Sequence, residues 1–510
     1  MTRATLIRVL LAAVLAVSSV VGAAQAQCTS LCPPPPSPGP SGGNHNRAIW
    51  YVVGGVAAGV LGLFIGTKVF GDRRLPDRPD EDRTSLPPDS PLRQVSLPPQ
   101  PDPPPMRGPT PKSGPVTTQL RNGFNLPPAG PVQWVTDEVL LDIPSDVPEP
   151  ILVATAAAHN MTRVETRTFR LTGRTLHRWR IDGGVPVTEM ILNISRSQRD
   201  LRVVAGAQPN YLYRLAQTEL SALPAASGDQ YAPEKLHLSQ AHRLATGNRV
   251  LVAVIDSGVD ASHPDLAGAV LDNFDAVSDD TTPHSHGTGM AGAIGSRRTV
   301  LGTAPRVALL TVRAFSTKSN SAEGTTFNII KGLDWAAEKG ARVVNMSFAG
   351  PPDPRIKDAL AKTARKGIVL IAAAGNAGPR SPPLFPAADP NVIAVTATDA
   401  DDALFPGANR GSHIAVSAPG VDVLVPAPGG TYQFTTGTSV ASANVSGVAA
   451  LLIERNPSLT PADVRRLLTR SAKPLGKGRE KDFGAGLVDA FAAVSQARQV
   501  APPVQAGLRN

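Results

Sequence analysis

Five runs of Val, Ile, Leu and Ala, at 249–255, 307–315, 342–348, 367–374 and 391–398, constrain this chain more than any other feature. They are near-continuous rather than alternating, so each reads as a strand buried on both faces. Helical stretches such as 326–339 and 355–366 lie between them. Buried strands alternating with helices predict an α/β fold: a parallel sheet with helices on both faces. Ligands of such sheets bind at the carboxyl ends of the strands, so the polar residues there matter most.

The rest of the chain divides by composition. Arg3 and Arg8 precede an apolar run from Val9 to about Val21, and Ala24-Gln25-Ala26 follows. That is the pattern of a secretory signal peptide at 1–26, and it predicts an extracytoplasmic protein. A short proline-rich segment fills 27–47 and holds both cysteines, Cys28 and Cys32. These either pair in a tiny loop or stay free, and neither can staple the main domain. The apolar stretch 48–66 is long enough to cross a bilayer as an anchor, with Gly55/Gly59 and Gly62/Gly66 at helix-packing spacing. The competing reading is a glycine-diluted segment that passes through the export channel. Lys68, Arg73, Arg74 and Arg78 follow it and only Arg47 closely precedes it, which would place its C-terminal side in the cytoplasm and conflicts with export. The protein is therefore expected to be anchored in the envelope or secreted. Residues 67–132 form a proline-rich linker, read as disordered.

From 133 to 215 the pattern changes. A strand is expected at 139–143, a helix at 149–159, alternating strands at 163–171 and 175–181, a helix at 187–195 and a strand at 201–205. The order β-α-β-β-α-β is that of a small ferredoxin-like α+β domain. A linker at 216–229 separates it from the α/β domain at 230–497, and a tail at 498–510 ends the chain. The net charge is +9, but no basic stripe with interleaved aromatics accompanies it, so nucleic acid is not an expected partner.

Four polar residues sit at element ends of the α/β domain. Asp256 follows the apolar strand at 249–255. His286 opens His-Gly-Thr-Gly-Met-Ala-Gly292, and Ser439 lies in Gly437-Thr-Ser-Val-Ala-Ser-Ala-Asn-Val-Ser-Gly447. Asn376 lies in Ala372-Ala-Ala-Gly-Asn-Ala-Gly378. Acyl transfer uses such a set. A serine needs a histidine to take its proton, and the histidine needs a carboxylate to fix its tautomer. The tetrahedral oxyanion needs donors already in place, here the Asn376 amide and the Ser439 N–H.

These motifs carry a resemblance. Val254-Ile-Asp-Ser-Gly258, His286-Gly-Thr288, Ala374-Gly-Asn-Ala-Gly378 and Gly437-Thr-Ser439, in the order Asp, His, Ser, resemble the subtilisin family of serine proteases over 230–497. The resemblance implies a serine endopeptidase acting on proteins or peptides and made as an autoprocessed precursor, cut between about 215 and 234, with Asp256, His286 and Ser439 catalytic and Asn376 in the oxyanion hole. It implies substrate binding by Ser347-Phe348-Ala349, although Ala349 stands where the family has glycine. Gly289, Val440 and Ala443-Asn444 also depart from the family's usual histidine, methionine and Pro-His.

The domain at 133–215 resembles the family's pro-domain, which packs on the catalytic domain, helps it fold and blocks its cleft, so the chain's own pro-domain is an expected partner. No cofactor is expected for the chemistry. Structural calcium occurs in the family, but no spacing here assigns ligands. His263, Asp265 and His284 read as structural. The rival reading is a catalytically silent binding protein of the same fold at the cell envelope. A second rival for 133–215 is an independent ferredoxin-like binding module.

Overall fold

The computed structural model describes residues 119–498, apart from 122, 129–131, 217, 224–229, 280–281 and 319–321. The signal peptide, both cysteines and the apolar segment 48–66 lie outside the described residues. Among the described residues no helix is long and apolar enough to cross a membrane.

The small domain has the expected order. It consists of β1 (Trp134–Asp142), α1 (Glu149–Ala158), β2 (Met161–Phe169), β3 (Arg174–Ile181), α2 (Val187–Arg196) and β4 (Gly206–Leu215). These four strands pair antiparallel, with β1 between β4 and β3 and with β2 outermost; the stretch expected as disordered linker is not wholly irregular, since Phe124–Asn125 pairs parallel with the other edge of β4 and antiparallel with Gln119–Arg121. Helix α2 buries Val187, Met190, Ile191 and Ile194, the i, i+3, i+4, i+7 stripe of an amphipathic helix. These residues pack with Val139, Leu141 and Trp179 from one face of the sheet. The opposite face carries Leu140, Leu176, Tyr211 and Tyr213 into a second core shared with the α/β domain. The sheet is thus buried on both sides.

The strand expected at 201–205 is displaced. Asp200–Arg202 is a single 3-10 turn, and the strand begins at Gly206. The Asp200 carbonyl accepts from Val203 and Val204, and its carboxylate pairs with the His159 ring at 2.8 Å, so the backbone is committed to a turn. Gly206 starts the strand because a Cβ there would lie 2.5 Å from the Gly123 carbonyl oxygen. The linker at 216–229 is not wholly irregular either: residues Thr218–Leu223 form a strand, β5.

The α/β domain is built on β6 (Leu251–Asp256), β7 (Val270–Asp275), α3 (Ser285–Gly295), β8 (Ala308–Arg313), β9 (Glu323–Thr325), α4 (Thr326–Glu338), β10 (Val343–Met346), β11 (Phe348–Ala349), α5 (Pro354–Arg365), β12 (Val369–Ala373), β13 (Val392–Thr398), β14 (Ile414–Pro419), β15 (Val423–Ala427), β16 (Thr431–Thr436) and α6 (Thr438–Arg455). Seven strands form the expected parallel sheet, in the order β14-β13-β12-β10-β6-β8-β7. Alternate residues serve the two faces. Val252, Val254, Val343 and Ile371 pack toward Met290 of α3 and Val445 and Val448 of α6. Ala253, Ile255, Val344 and Met346 pack toward Phe327 and Leu333 of α4 and Leu360 of α5. Burying one such large side chain contributes roughly 1.5–3 kcal/mol, which is why the runs are apolar throughout.

Candidate active site

Asp256 ends β6, where the chain turns through Gly258 at φ +106°. The first turn of α3 sits directly on that turn, because a Cβ at Gly287 would lie 2.2 Å from the Gly258 carbonyl oxygen. Two glycines thereby bring His286 onto Asp256: Nδ1 lies 2.7 Å from Oδ1, and both side chains are wholly buried. The Ser257 N–H and hydroxyl donate to the same carboxylate oxygen at 2.7 and 3.0 Å. With Nδ1–H donated to the carboxylate, Nε2 is the basic atom. It has no hydrogen-bond partner among the described residues.

Ser439 lies in the first turn of α6, an 18-residue helix whose N-terminus adds positive potential. Its Oγ donates to main-chain carbonyls. It sits 2.5 Å from the Ala216 carbonyl oxygen and 3.0 Å from that of Ser347. The resemblance of the motifs to a protease family does not contain this detail, because Ala216 comes from the segment that follows the small domain.

Asn376 follows Gly375, at φ +106°, just beyond β12. Its Oδ1 accepts from the Thr438 N–H at 3.1 Å and the Thr438 hydroxyl at 2.8 Å. That pair fixes the amide's orientation. The opposite atom, Nδ2, is a buried donor without a partner among the described residues. The side chain thus presents a pre-set N–H beside the Ser439 turn, as an oxyanion site requires.

The segment expected to bind substrate, Ser347-Phe348-Ala349, is paired with the chain's own β4. Phe348 and Ala349 of β11 pair antiparallel with Leu215 and Arg214, and the Ala216 N–H donates to the Ser347 carbonyl at 3.2 Å. On the other side Glu323, Gly324 and Thr325 of β9 pair with Arg214, Tyr213 and Leu212. Sequence reasoning missed this second edge, because a three-residue strand of Glu, Gly and Thr has no apolar signal. The end of β4 is therefore a strand held between two short strands. Tyr213 anchors it, fully buried, edge-on to Phe348 at 5.9 Å, with its hydroxyl donating to the Pro351 carbonyl at 3.2 Å. Gly350 is required there, since a Cβ would lie 2.3 Å from the Tyr213 ring. Leu215, Ala216, Ala349, Gly350, Asn376 and Leu384 line a groove of about 590 Å³ beside this strand.

The departures from the family pattern have local causes. A side chain at Gly289 would meet Val425 of β15, 2.9 Å from its Cβ. Val440 faces the core and is wholly buried. Asn444 accepts from the Thr303 hydroxyl at 2.9 Å and donates to the Pro419 carbonyl at 3.0 Å, a buried tie between elements. His263 and Asp265 are structural, as expected: the ring accepts from the Asp265 N–H, and the carboxylate accepts from Thr299 and Val300. His284 is the N-cap of α3, its Nδ1 2.9 Å from the Ser257 hydroxyl. No group of three or more His, Cys, Asp and Glu side chains is placed to hold a metal ion among the described residues.

Residues 247–486 match the subtilase family, peptidase S8. Thermitase of Thermoactinomyces vulgaris is 36% identical over 279 residues, covering 53% of this chain and 98% of thermitase. A subtilisin of Bacillus pumilus is 39% identical over 259 residues, covering 49% of this chain and 92% of that protein. Among solved structures, fervidolysin of Fervidobacterium pennivorans, a keratinolytic enzyme related to subtilisin, shares the fold with a TM-score of 0.61. It is 24% identical, and the match covers 73% of this chain and 62% of that one. The chain belongs to the subtilase family and is a subtilisin-like serine endopeptidase.

Proposed function

We propose that Asp256, His286 and Ser439 hydrolyse peptide bonds in extended polypeptides, and that the first bond cut is the chain's own, between Ala216 and Gln217. The observation that carries this reading is the Ser439 hydroxyl against the Ala216 carbonyl, at the end of a strand registered on both sides. To react, the hydroxyl turns about χ1 from the carbonyl oxygen toward His286 Nε2. It then attacks the Ala216 carbonyl carbon while Nε2 takes its proton. Asp256 holds the ring and stabilises the imidazolium. The oxygen of Ala216 becomes an oxyanion beside Asn376 Nδ2–H and the Ser439 N–H. Collapse breaks the bond to Gln217, whose nitrogen leaves with the proton from His286. Water, deprotonated by the same ring, then releases Ala216 from Ser439.

In this reading the domain at 133–215 is a pro-domain. Its C-terminal strand fills the acyl side of the cleft before the cut and blocks it afterwards. The N-terminal signal pattern supports export, and the segment 48–66 supports an anchor. The test is a Ser439→Ala chain beside the wild type. The wild type should be cut and labelled at Ser439 by a fluorophosphonate, and the variant should stay whole. Equal processing of both in a purified system, or an unlabelled wild type, would favour a silent binding protein of the same fold.

A further inference from the structure

The residues that lead into β1 also hold the strand that enters the cleft. Phe124 pairs parallel with Ala207, on the edge of β4 that faces away from β1. The approach there is close. The Gly123 carbonyl accepts from the Ala207 N–H at 3.0 Å, and a Cβ at Gly123 would lie 2.5 Å from the Ala205 carbonyl oxygen. The Phe124 ring is buried in the small domain's own core. Gln133 and Trp134 stand on the opposite edge of the same strand. The Gln133 carbonyl accepts from the Leu212 N–H at 2.9 Å, and Trp134 pairs with Tyr211. β4 is therefore held on both edges by this stretch, just before β9 and β11 take over.

Pro128 and Val132, between these two points, reach the α/β domain. Pro128 is buried, and with Val132 and Gln133 it lines the groove beside Ala216 and Asn376. Pro351, Pro382 and Leu384 line the same groove. Val132 packs against the core that the two domains share. A proline has a fixed φ and no N–H. Pro127-Pro128 can thus lie in a groove with no donor to satisfy and little chain entropy to lose.

Resting on the cut proposed above, we infer that Phe124–Pro128 together with Val132 and Gln133 is a clasp, a second inhibitory segment of the precursor. It seats the last strand of the small domain against Ser439, and it fills part of the groove beside Asn376. The inhibitory element then starts at Phe124, before the ferredoxin-like domain begins. Clasp and strand are covalently joined, so each raises the effective concentration of the other at the cleft. Without the clasp the Ala216 carbonyl is held loosely, and a small misplacement of the reacting group slows attack steeply.

The test compares two pairs of substitutions in the full chain. Pro128→Asp with Val132→Asp puts two charges into the groove. Ile151→Asp with Val153→Asp puts the same two on α1, at residues 42% and 58% exposed. Each chain is refolded from urea beside the wild type, the cut is timed on gels, and N-terminal sequencing locates it. The groove pair should slow the cut about tenfold or more, and the α1 pair should leave it within about twofold. In Ser439→Ala chains, where no cut is needed, the groove pair should speed hydrogen exchange about tenfold at amides 212–215 and leave β2 and β3 unchanged. That exchange pattern with a cut elsewhere than after Ala216 would sink the proposed cut and keep the clasp. Wild-type rates and exchange in the groove variant overturn the clasp, as does equal slowing by both pairs. Faster exchange across the whole small domain also overturns it, because it marks a purely structural role. Should the groove pair not fold, the unaltered Ser439→Ala chain decides. The Leu212 N–H should there exchange as slowly as the amides of β1, and rapid exchange overturns the inference.

Discussion

The Ser439 hydroxyl and the Ala216 carbonyl oxygen stand 2.5 Å apart, although 223 positions separate the two residues in the chain. Long-range pairing explains how they meet. β4 crosses from the small domain into a slot between β9 and β11 and carries Ala216 to the start of α6. His286 and Asp256 are already joined, with Nδ1 and Oδ1 2.7 Å apart. Ser439, the proposed nucleophile, is thus next to a peptide carbonyl of its own chain.

Replacing Asn376 with Ala should lower kcat about 100- to 1000-fold with little change in KM, because the donor acts on the oxyanion and not on the ground-state carbonyl. This magnitude is that of subtilisin's own oxyanion-hole asparagine, a member of the same family. Steady-state kinetics of the processed variant measure it, and an unchanged kcat would remove Asn376 from the oxyanion hole.

Tyr213 fills an enclosed site three residues before Ala216, so Tyr213→Ala should both weaken the precursor and slow its cut. Loss of a buried aromatic costs about 3–5 kcal/mol in stability, measurable by urea unfolding of the Ser439→Ala precursor. Processing of the otherwise wild-type chain should slow more than tenfold, because the strand loses its anchor. Tyr213→Phe keeps the ring and loses only the bond to the Pro351 carbonyl, so it should process almost normally.

The small domain should lose stability in mild acid through His177. Burial first, and the charge of Arg163 second, hold its pKa down to about 4 from an ordinary 6.5, against weaker opposing effects of Asp142 and Glu149. Its Nδ1 meets the Thr166 hydroxyl at 2.9 Å and its ring stands edge-on to Trp179. The folded pKa is the lower one, so the unfolded chain binds the proton first. The contribution of this group is present above about 6.5 and is lost as pH falls from there toward about 4. Thermal unfolding of the Ser439→Ala precursor should show this loss, and His177→Leu should flatten it over that window. Parallel pH profiles for the two proteins would rule His177 out.

Much of the α/β domain was legible because its central strands are buried on both faces. Val252, Ile255 and Ile371 leave no choice but a covered sheet. β7 escaped because it is an edge strand: Leu271 is 65% exposed, and the polar Asp272 and Asn273 follow it. β14 escaped because Ser417 interrupts a short run, although Ser417 is itself buried. Asp256, His286, Ser439 and Asn376 could be picked out because each lies in a short motif at an element end. The resemblance implied that the small domain blocks the cleft, but the seating of its last strand was not legible. It depends on pairings between β4 and β11 and between β5 and β16, across more than a hundred and more than two hundred residues. No local pattern in Gln208-Pro-Asn-Tyr211 or in Thr218–Leu223 encodes those partners.

In the proposed reaction, Ser439 attacks the carbonyl of Ala216. N-terminal sequencing of the wild-type enzyme, purified after processing and beside an unprocessed Ser439→Ala chain, tests it most directly. A first new N-terminus at Gln217 is expected, produced only when Ser439 is present. A first cut elsewhere in 217–234, or one that the Ser439→Ala chain also makes in a purified system, would contradict it.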